Sequence, residues 1–238
     1  MNYFPKKLFF PQETIFEKGA IFSLLEEVEA FGSRGLIVHG QSLLRQDKLK
    51  DILRGFSSQA RVSTFCRQGG EPTLREVSLI IERAKEAEAQ WIVGIGGGSA
   101  LDAAKAAAGL FHASHPAEFY QGGGELVEAG IPFIAVPTTA GSGAEATPNA
   151  VIINEKKKSK VSIRDNRFLA KKVILDSSLL EGLPAPVLQY SALDAFVQGY
   201  ESFISRHASL FSEMLALKAV ELISSHIVPA YENKDEES

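Results

Sequence analysis

GIGGGSALDAAK, residues 94–105, is the stretch that decides the fold of this chain. It joins an apolar run to three successive glycines, and an alanine-rich pattern with helical spacing follows at once. A strand, a glycine turn and a helix in this order often bind phosphate, because backbone N–H groups at the helix start point at the ligand and the helix dipole favours negative charge. Gly96, Gly97 and Gly98 carry no Cβ atom, so the backbone can approach a pyrophosphate closely.

Helix capping is an alternative explanation for the same residues. Ser99 and Asp102 have the spacing of a capping box, which predicts that Ser99 caps the helix. The pattern Gly94-x-Gly96-x-x-Ser99 matches the dinucleotide fingerprint only loosely, because the third glycine is missing. This stretch taken alone therefore leaves both explanations open.

Strand and helix patterns alternate on both sides of the turn. Apolar or alternating runs predict strands at 34–40, 61–66, 90–95, 131–137 and 171–176. An amphipathic helix is predicted at 73–89, and a hairpin with a charged tip at 150–163. Alternating strands and helices indicate a parallel sheet covered on both faces, so the sequence predicts an α/β, Rossmann-like N-terminal domain.

The pattern changes after Pro184, where two long helical patterns follow with no strand between them. We therefore predict a dinucleotide-binding domain over residues 1–182 and the start of an all-helical domain over residues 183–238. Two helices rarely bury enough surface to be stable alone. The second helix is expected to need a partner, which favours a homo-oligomer, through Leu210, Met214, Leu217, Leu222 and Ile223.

Composition excludes several classes of protein. The 238 residues carry a net charge of −4, which gives no general electrostatic attraction for nucleic acid or for an anionic membrane. The single cysteine excludes an internal disulfide and a thiolate metal cluster. The N-terminal residues contain no long apolar stretch, so neither a signal peptide nor a membrane span is predicted, and a cytoplasmic location is expected.

A second turn favours phosphate binding over capping alone. Residues 136–148, VPTTAGSGAEATP, follow a predicted strand and offer the hydroxyl groups of Thr138, Thr139 and Ser142. Two such turns at strand ends would line one crevice beside an open α/β sheet, where these folds bind their ligands. Together the turns predict a site for a phosphate or a dinucleotide.

The motifs GGGSALDAAK, PTTAGSGAE and ALDAFVQGYES, with a hairpin lysine between the last two, resemble the iron-containing (group III) alcohol dehydrogenase family in order and spacing. The resemblance implies an N-terminal dinucleotide domain, a C-terminal helical domain and a metal in the cleft between them. It also implies NAD(P)-dependent conversion of a small-molecule alcohol to an aldehyde or ketone.

The resemblance assigns roles to individual residues. It implies that Gly96, Gly97, Gly98 and Ser99 bind the pyrophosphate with support from Asp102, that Thr138, Thr139 and Ser142 line the adenosine and phosphate region, and that Lys160 reaches toward the cofactor. From its own context, Lys160 could equally be a surface lysine of the run KKKSK.

Cofactor preference is expected to depend on the end of the first predicted strand. By the resemblance, Gly40 and Ser42 lie near the adenine ribose. Family members with an acid there resemble NAD users, because a carboxylate accepts the ribose hydroxyls and repels a 2′-phosphate. Neither residue is charged here, so a 2′-phosphate is tolerated, which favours NADP(H) while leaving NAD(H) open.

The metal site departs from the family pattern. Metal-binding members show Asp and His four residues apart on the first helix after the domain boundary. Asp194 matches that pattern, but Gln198 stands where the histidine is expected, and the family's later histidines are absent. A glutamine oxygen is a poor replacement for imidazole on Fe²⁺ or Zn²⁺, so only a partial site with Asp194 is expected.

Three functions stay open at this point. The chain could be a fragment, a natural truncation or one part of a split alcohol dehydrogenase, and alone it would be poorly active or inactive. It could be a degenerate nucleotide-binding protein without catalysis, or a metal-free variant enzyme. The sequence identifies neither a catalytic residue nor the substrate.

Overall fold

The computed structural model describes residues 4–5, 7–41, 43, 50–52, 54–55 and 61–233. It divides into two compact units. We call residues 10–138 and 144–176 the α/β unit, and residues 1–9, 139–143 and 177–238 the helical unit. The domain division at residues 182 and 183 stays a prediction. None of the described helices has both the length and the apolarity that crossing a membrane requires.

The α/β unit is built on parallel strands. Its strands are β1 (Glu13–Phe16), β2 (Arg34–Gly40), β3 (Arg61–Arg67), β4 (Trp91–Gly96), β5 (Phe133–Pro137), β6 (Asn149–Asn154), β7 (Ser159–Arg164) and β8 (Lys172–Leu175). In the described part, six of them form one parallel sheet in the order β1-β8-β5-β4-β2-β3, and β6 and β7 form an antiparallel hairpin. The predicted Rossmann-like α/β fold is confirmed.

Among the described residues, the α-helices with defined bounds are α1 (Leu24–Glu29), α2 (Leu74–Glu86), α3 (Gly98–Gly109) and α4 (Ala117–Gln121) in the α/β unit, and α5 (Ala185–Ile204) and α6 (Leu210–Asn233) in the helical unit. The helix predicted at 73–89 is α2. Thr73 caps it, because its side-chain oxygen accepts a hydrogen bond from the Glu76 N–H at 3.1 Å.

The core of the α/β unit lies where α3 packs on β4. Every residue of β4 and β5 is buried, which is typical of parallel strands covered on both faces. A Cβ atom at Gly94 would lie 2.9 Å from the Ala104 Cβ, so the glycine lets the alanine row of α3 approach the strand. The alanine-rich sequence of α3 is therefore a close-packing surface.

The strand order places the candidate site. The chain runs from β2 outward to the edge strand β3 and then returns to β4 on the other side of β2. The order of the strands reverses between β2 and β4, and open α/β sheets bind ligands beyond the carboxyl ends of the strands at such a point. Gly40 ends β2 and Gly96 ends β4 at this edge.

The helical unit contains α5 and α6 packed against each other. The contact is close at Gly199, where an added Cβ atom would lie 3.1 Å from the Val220 Cγ2. Large apolar side chains remain exposed on both helices, including Tyr190, Leu193, Ile204, Met214, Leu217 and Val228.

Candidate functional site

The glycine turn lies at the reversal point of the sheet. Gly96 is buried at the end of β4 with φ of 153°, and a Cβ atom there would lie 2.7 Å from the Ala100 Cβ. Gly97 is the residue before the helix, in an extended conformation with φ of −73° and ψ of 178°, and α3 begins at Gly98. Gly97 has no side chain that could cap the helix, so the backbone N–H groups of the first turn receive no hydrogen bond from the capping residue.

The prediction that Ser99 caps the helix is wrong. Helical geometry begins one residue earlier, so Ser99 lies inside the first turn, half-buried, and Gly97 occupies the capping position. Asp102 also takes a different partner from the one that a capping box requires. Its Oδ2 accepts a hydrogen bond from the Val151 N–H of β6 at 3.1 Å. The turn thus has no competing side-chain cap at the predicted phosphate position.

The second turn begins beside the first. The Thr138 N–H donates to the Gly96 carbonyl at 3.0 Å, and Thr138 is buried. Thr139 and Ser142 lie in the 139–143 segment of the helical unit and are half-buried. Within that unit a Cβ atom at Gly141 would meet the Ser191 Cβ at 2.8 Å, so the segment packs tightly on α5.

The ribose end of the predicted site is described in part. Gly40 is half-buried, and in the β2–β3 register its partner is Arg67. The Arg67 side chain is buried and forms an ion pair with Glu76, with Nη2 and Oε2 2.8 Å apart. Ser42 lies outside the described residues.

Lys160 lies on the hairpin strand β7. Half of its side chain is exposed, and its Nζ is 3.0 Å from the Glu71 Oε2. Glu71 is also close enough to Asp102 to help raise the pKa of that carboxyl group, although burial is the main cause and Lys105 opposes the increase. Lys160, Glu71 and Asp102 therefore belong to one charged region of the α/β unit.

Lys105 is a functional candidate that sequence reasoning missed. Its side chain is 0% exposed, and its ammonium donates to backbone carbonyl groups of residues 144–149, which lead into β6. Burial lowers the pKa of Lys105 to about 8, while the Asp102 and Glu145 carboxylates act in the opposite direction. The signal in the sequence was a single charged residue within an alanine run that packs on the sheet.

The residues at the family's metal position do not fit a tightly held transition metal. Asp194 and Gln198 are both exposed on α5, and the Gln198 Nε2 contacts the Gly141 carbonyl at 3.5 Å. Among the described residues, no group of three or more His, Cys, Asp or Glu side chains could hold a metal ion. One carboxylate and one amide are a poor donor set for Fe²⁺ or Zn²⁺.

Residues 11–177 match the family model described as "Iron-containing alcohol dehydrogenase". The sulfoacetaldehyde reductase of Bilophila wadsworthia is 33% identical over 219 residues, which are 90% of this chain and 56% of that protein. The NADPH-dependent butanol dehydrogenase of Clostridium saccharobutylicum is 26% identical over 95% of this chain and 59% of its own length. The chain thus spans little more than half the length of these relatives.

Solved structures of other dehydrogenases and reductases are also similar to this chain. Sulfoacetaldehyde reductase from Bifidobacterium kashiwanohense, in complex with NAD⁺, superposes with a TM-score of 0.87 at 28% identity, over 97% of this chain and 63% of that one. An alcohol dehydrogenase from an archaeal halo-thermophilic Red Sea brine pool organism has a TM-score of 0.91 at 24% identity, over 100% of this chain and 62% of that one, which supports the fold. The chain belongs to the iron-containing alcohol dehydrogenase family.

Proposed function

We propose that this chain is the dinucleotide-binding part of an NAD(P)-dependent oxidoreductase that interconverts small alcohols and their aldehydes or ketones. The uncapped glycine turn between β4 and α3, at the reversal point of the sheet, carries the proposal. Relatives named as a sulfoacetaldehyde reductase and a butanol dehydrogenase support the reaction class.

In this proposal Gly96, Gly97, Gly98 and Ser99 bind the pyrophosphate through backbone N–H groups and the dipole of α3. Thr138, Thr139 and Ser142 supply hydroxyl groups to the adenosine and phosphate region. Lys160, which now pairs with Glu71, turns toward the cofactor phosphates when they are bound. Asp102 supports the turn indirectly through its hydrogen bond to Val151.

The decisive test is Gly97→Asp in an NADPH fluorescence titration. The negative φ at Gly97 admits a side chain, and aspartate is a favoured residue at this capping position, so the variant should fold at least as well as the wild type. Its carboxylate occupies the phosphate position and repels the ligand, and we expect at least a hundredfold loss of affinity.

Gly97→Asn is the matched control, because it adds nearly the same bulk without a charge. We expect a smaller loss of affinity for Asn than for Asp. If Gly97→Asp binds NADPH as tightly as the wild type, the site assignment is wrong. If the wild type binds neither NADPH nor NADH, the proposed function itself is wrong.

We further propose a preference for NADP(H), supported by the uncharged residue at the end of β2. Gly40→Asp introduces a carboxylate that would accept ribose hydroxyls and repel a 2′-phosphate. We expect at least a tenfold weaker affinity for NADPH, with NADH affinity unchanged or improved. An equal effect on both cofactors would contradict the placement of Gly40 beside the ribose.

A second candidate function, nucleotide binding without metal-dependent turnover by this chain, is supported by Gln198 at the expected histidine position. It predicts measurable NADPH affinity together with undetectable butanal reduction, with or without added Fe²⁺ or Zn²⁺. Metal-dependent turnover by the purified chain would reject this candidate in favour of the first.

We also propose that the chain forms a homo-oligomer through the helical unit. The exposed apolar side chains of α5 and α6 support this proposal, because contiguous apolar patches seldom persist on monomers. The division into a domain at 1–182 and the start of a helical domain at 183–238 belongs to the same proposal.

A further inference from the structure

Lys105 makes more contacts than an ordinary buried ion pair requires. Its ammonium contacts the Ala144 carbonyl, the Thr147 carbonyl at 3.0 Å and hydroxyl at 3.2 Å, and the Asn149 carbonyl at 2.8 Å. The nearest carboxylate oxygen, on Asp102, is 3.7 Å away. The lysine is therefore held mainly by backbone oxygens of one segment, residues 144–149, rather than by an acid.

Lys105 and Asp102 act on neighbouring parts of the same segment. They lie one helical turn apart on α3, where Lys105 holds residues 144–149 and Asp102 holds the Val151 N–H at 3.1 Å. Residues 144–146 form a single 3-10 turn, and β6 begins only at Asn149. The bonds from α3 add to the few backbone hydrogen bonds of this segment, which lies outside the sheets.

The segment immediately follows the 139–143 turn in the chain. Thr138, the residue before that turn, donates to the Gly96 carbonyl, and Ala144, the residue after it, accepts from Lys105. Both flanking residues are thus bonded to the β4–α3 segment that carries the glycine turn. The residues at which the 139–143 turn begins and ends are therefore both fixed within the α/β unit.

We propose that Lys105 is a positioning residue for dinucleotide binding, whose ammonium fixes the 144–149 segment on α3 and with it the residue at which the preceding turn ends. This inference rests on the proposed function. Lys105 is fully buried and acts through the backbone that it binds.

The charges around Lys105 are consistent with an ammonium at neutral pH. Asp102 faces it from α3, and Glu145 faces it from the 144–149 segment. Burial lowers the pKa of Lys105 to about 8, and these two carboxylates counteract part of that decrease. Burial also raises the pKa of Glu145. The protonated amine has three donors for the surrounding oxygens, whereas a neutral amine has two.

The first experiment compares Lys105→Met with the matched control Lys85→Met, which removes an exposed lysine from the end of α2. Methionine preserves the length and apolar stem of lysine but removes the ammonium that donates to these carbonyl groups. We expect NADPH to bind Lys105→Met at least tenfold more weakly at pH 7, and Lys85→Met to bind as the wild type does.

Hydrogen exchange on the same proteins separates positioning from general unfolding. Amides at 144–151 should exchange at least tenfold faster in Lys105→Met, whereas the amides of β4 should keep their protection. Faster exchange throughout the α/β unit would show a general loss of stability and would overturn the positioning role.

Chemical rescue tests the ammonium directly. Lys105→Ala leaves a cavity the size of n-propylammonium, lined by the same oxygens. Added n-propylammonium should restore NADPH affinity in a concentration-dependent manner, while tetramethylammonium, which has no N–H donor, should not. This recovery would distinguish the loss of a donor from irreversible misfolding of the variant.

Two results would overturn the inference, and they are distinguishable. If Lys105→Met binds NADPH like the wild type with unchanged exchange at 144–151, the proposed function survives and Lys105 has no positioning role. If the wild type binds neither NADPH nor NADH, the proposed function fails and the positioning role for a dinucleotide fails with it.

Discussion

The α/β unit and the helical unit use similar apolar sequences but bury them to very different extents. In the α/β unit, β4, β5 and most of α3 are buried. The sheet covers one side of each helix, and the helices in turn cover the faces of the sheet. In the helical unit, α5 and α6 cover only the strip where they meet. Leu193, Met214 and Leu217 remain more than half exposed.

The difference shows what limits burial in a chain of this kind. An apolar helix becomes part of a core only where other elements surround it. A single neighbouring helix covers one stripe of its surface, whereas a sheet with adjacent helices covers nearly all of α3. The α/β unit is therefore expected to supply stability and ligand binding, and the helical unit is expected to supply association.

The largest expected effect is on self-association. The double change Met214→Asp and Leu217→Asp places charges on the exposed face of α6, and should weaken self-association at least a hundredfold, about 2.7 kcal/mol. Leu79→Asp on α2, another exposed leucine, is the matched control in the α/β unit and should leave association unchanged. Sedimentation of a wild-type monomer at micromolar concentration would contradict the proposed oligomer.

Alanine substitutions at two helix glycines compare how tightly the helices pack within each of the two units. Gly109→Ala would bring a Cβ atom 2.2 Å from the buried Phe168 ring, and we expect a loss of about 2 kcal/mol in the free energy of unfolding. At Gly199 an added Cβ atom would lie 3.1 Å from the Val220 Cγ2 and no closer than 3.5 Å to any other neighbour, and the better helix propensity of alanine should make Gly199→Ala nearly neutral. Urea denaturation measures the free energy of unfolding of both variants. Equal losses would contradict the proposed difference in packing between the two units.

The pH dependence of stability tests the burial of Lys105. Its pKa is about 8 in the folded protein, below its ordinary value of 10.5, so between these values the unfolded chain binds the additional proton. Between these pH values the contribution of this group to the free energy of unfolding therefore increases as pH rises, by at most about 1.4 kcal/mol per pH unit. Burying the charge costs free energy, and that cost disappears when the amine is neutral.

The measurement is the difference in stability between the wild type and Lys105→Met at pH 7.5 and pH 9.5. This difference should move in favour of the wild type at the higher pH, because groups common to both proteins cancel. A difference that is constant across this range would mean that Lys105 keeps its ordinary pKa in the folded protein.

The smallest expected effect is that of Gln198→His. The change adds one imidazole beside Asp194 on exposed α5 and leaves the remaining coordination positions to water. Affinity for Zn²⁺ should rise less than tenfold, as measured by calorimetry. Near-stoichiometric metal on either protein after dialysis against a chelator would show that other ligands complete the site.

Sequence alone was sufficient to predict the parallel α/β fold and the position of the glycine turn. Local hydrophobic periodicity predicts the strands and helices, and the three glycines at 96–98 mark the turn between a strand and a helix. The partners of α3 could not be predicted in this way. Whether Ser99 or Gly97 caps a helix depends on which residue first adopts helical geometry, and the spacing to Asp102 did not reveal it.

The sequence by itself determined the family and its alternating elements, because these follow from local pattern and from motifs that stand in a fixed order. Only the tertiary structure decided what Lys105 and Asp102 do. Their partners, Asn149 and Val151, lie 44 and 49 residues farther along the chain. The bonded groups are a backbone carbonyl and a backbone N–H, which nearly every residue has, so the sequence does not identify them. A charged side chain within an alanine helix becomes a fixed anchor only when the fold brings carbonyl oxygens within hydrogen-bond distance of it, since burial without them would cost too much free energy.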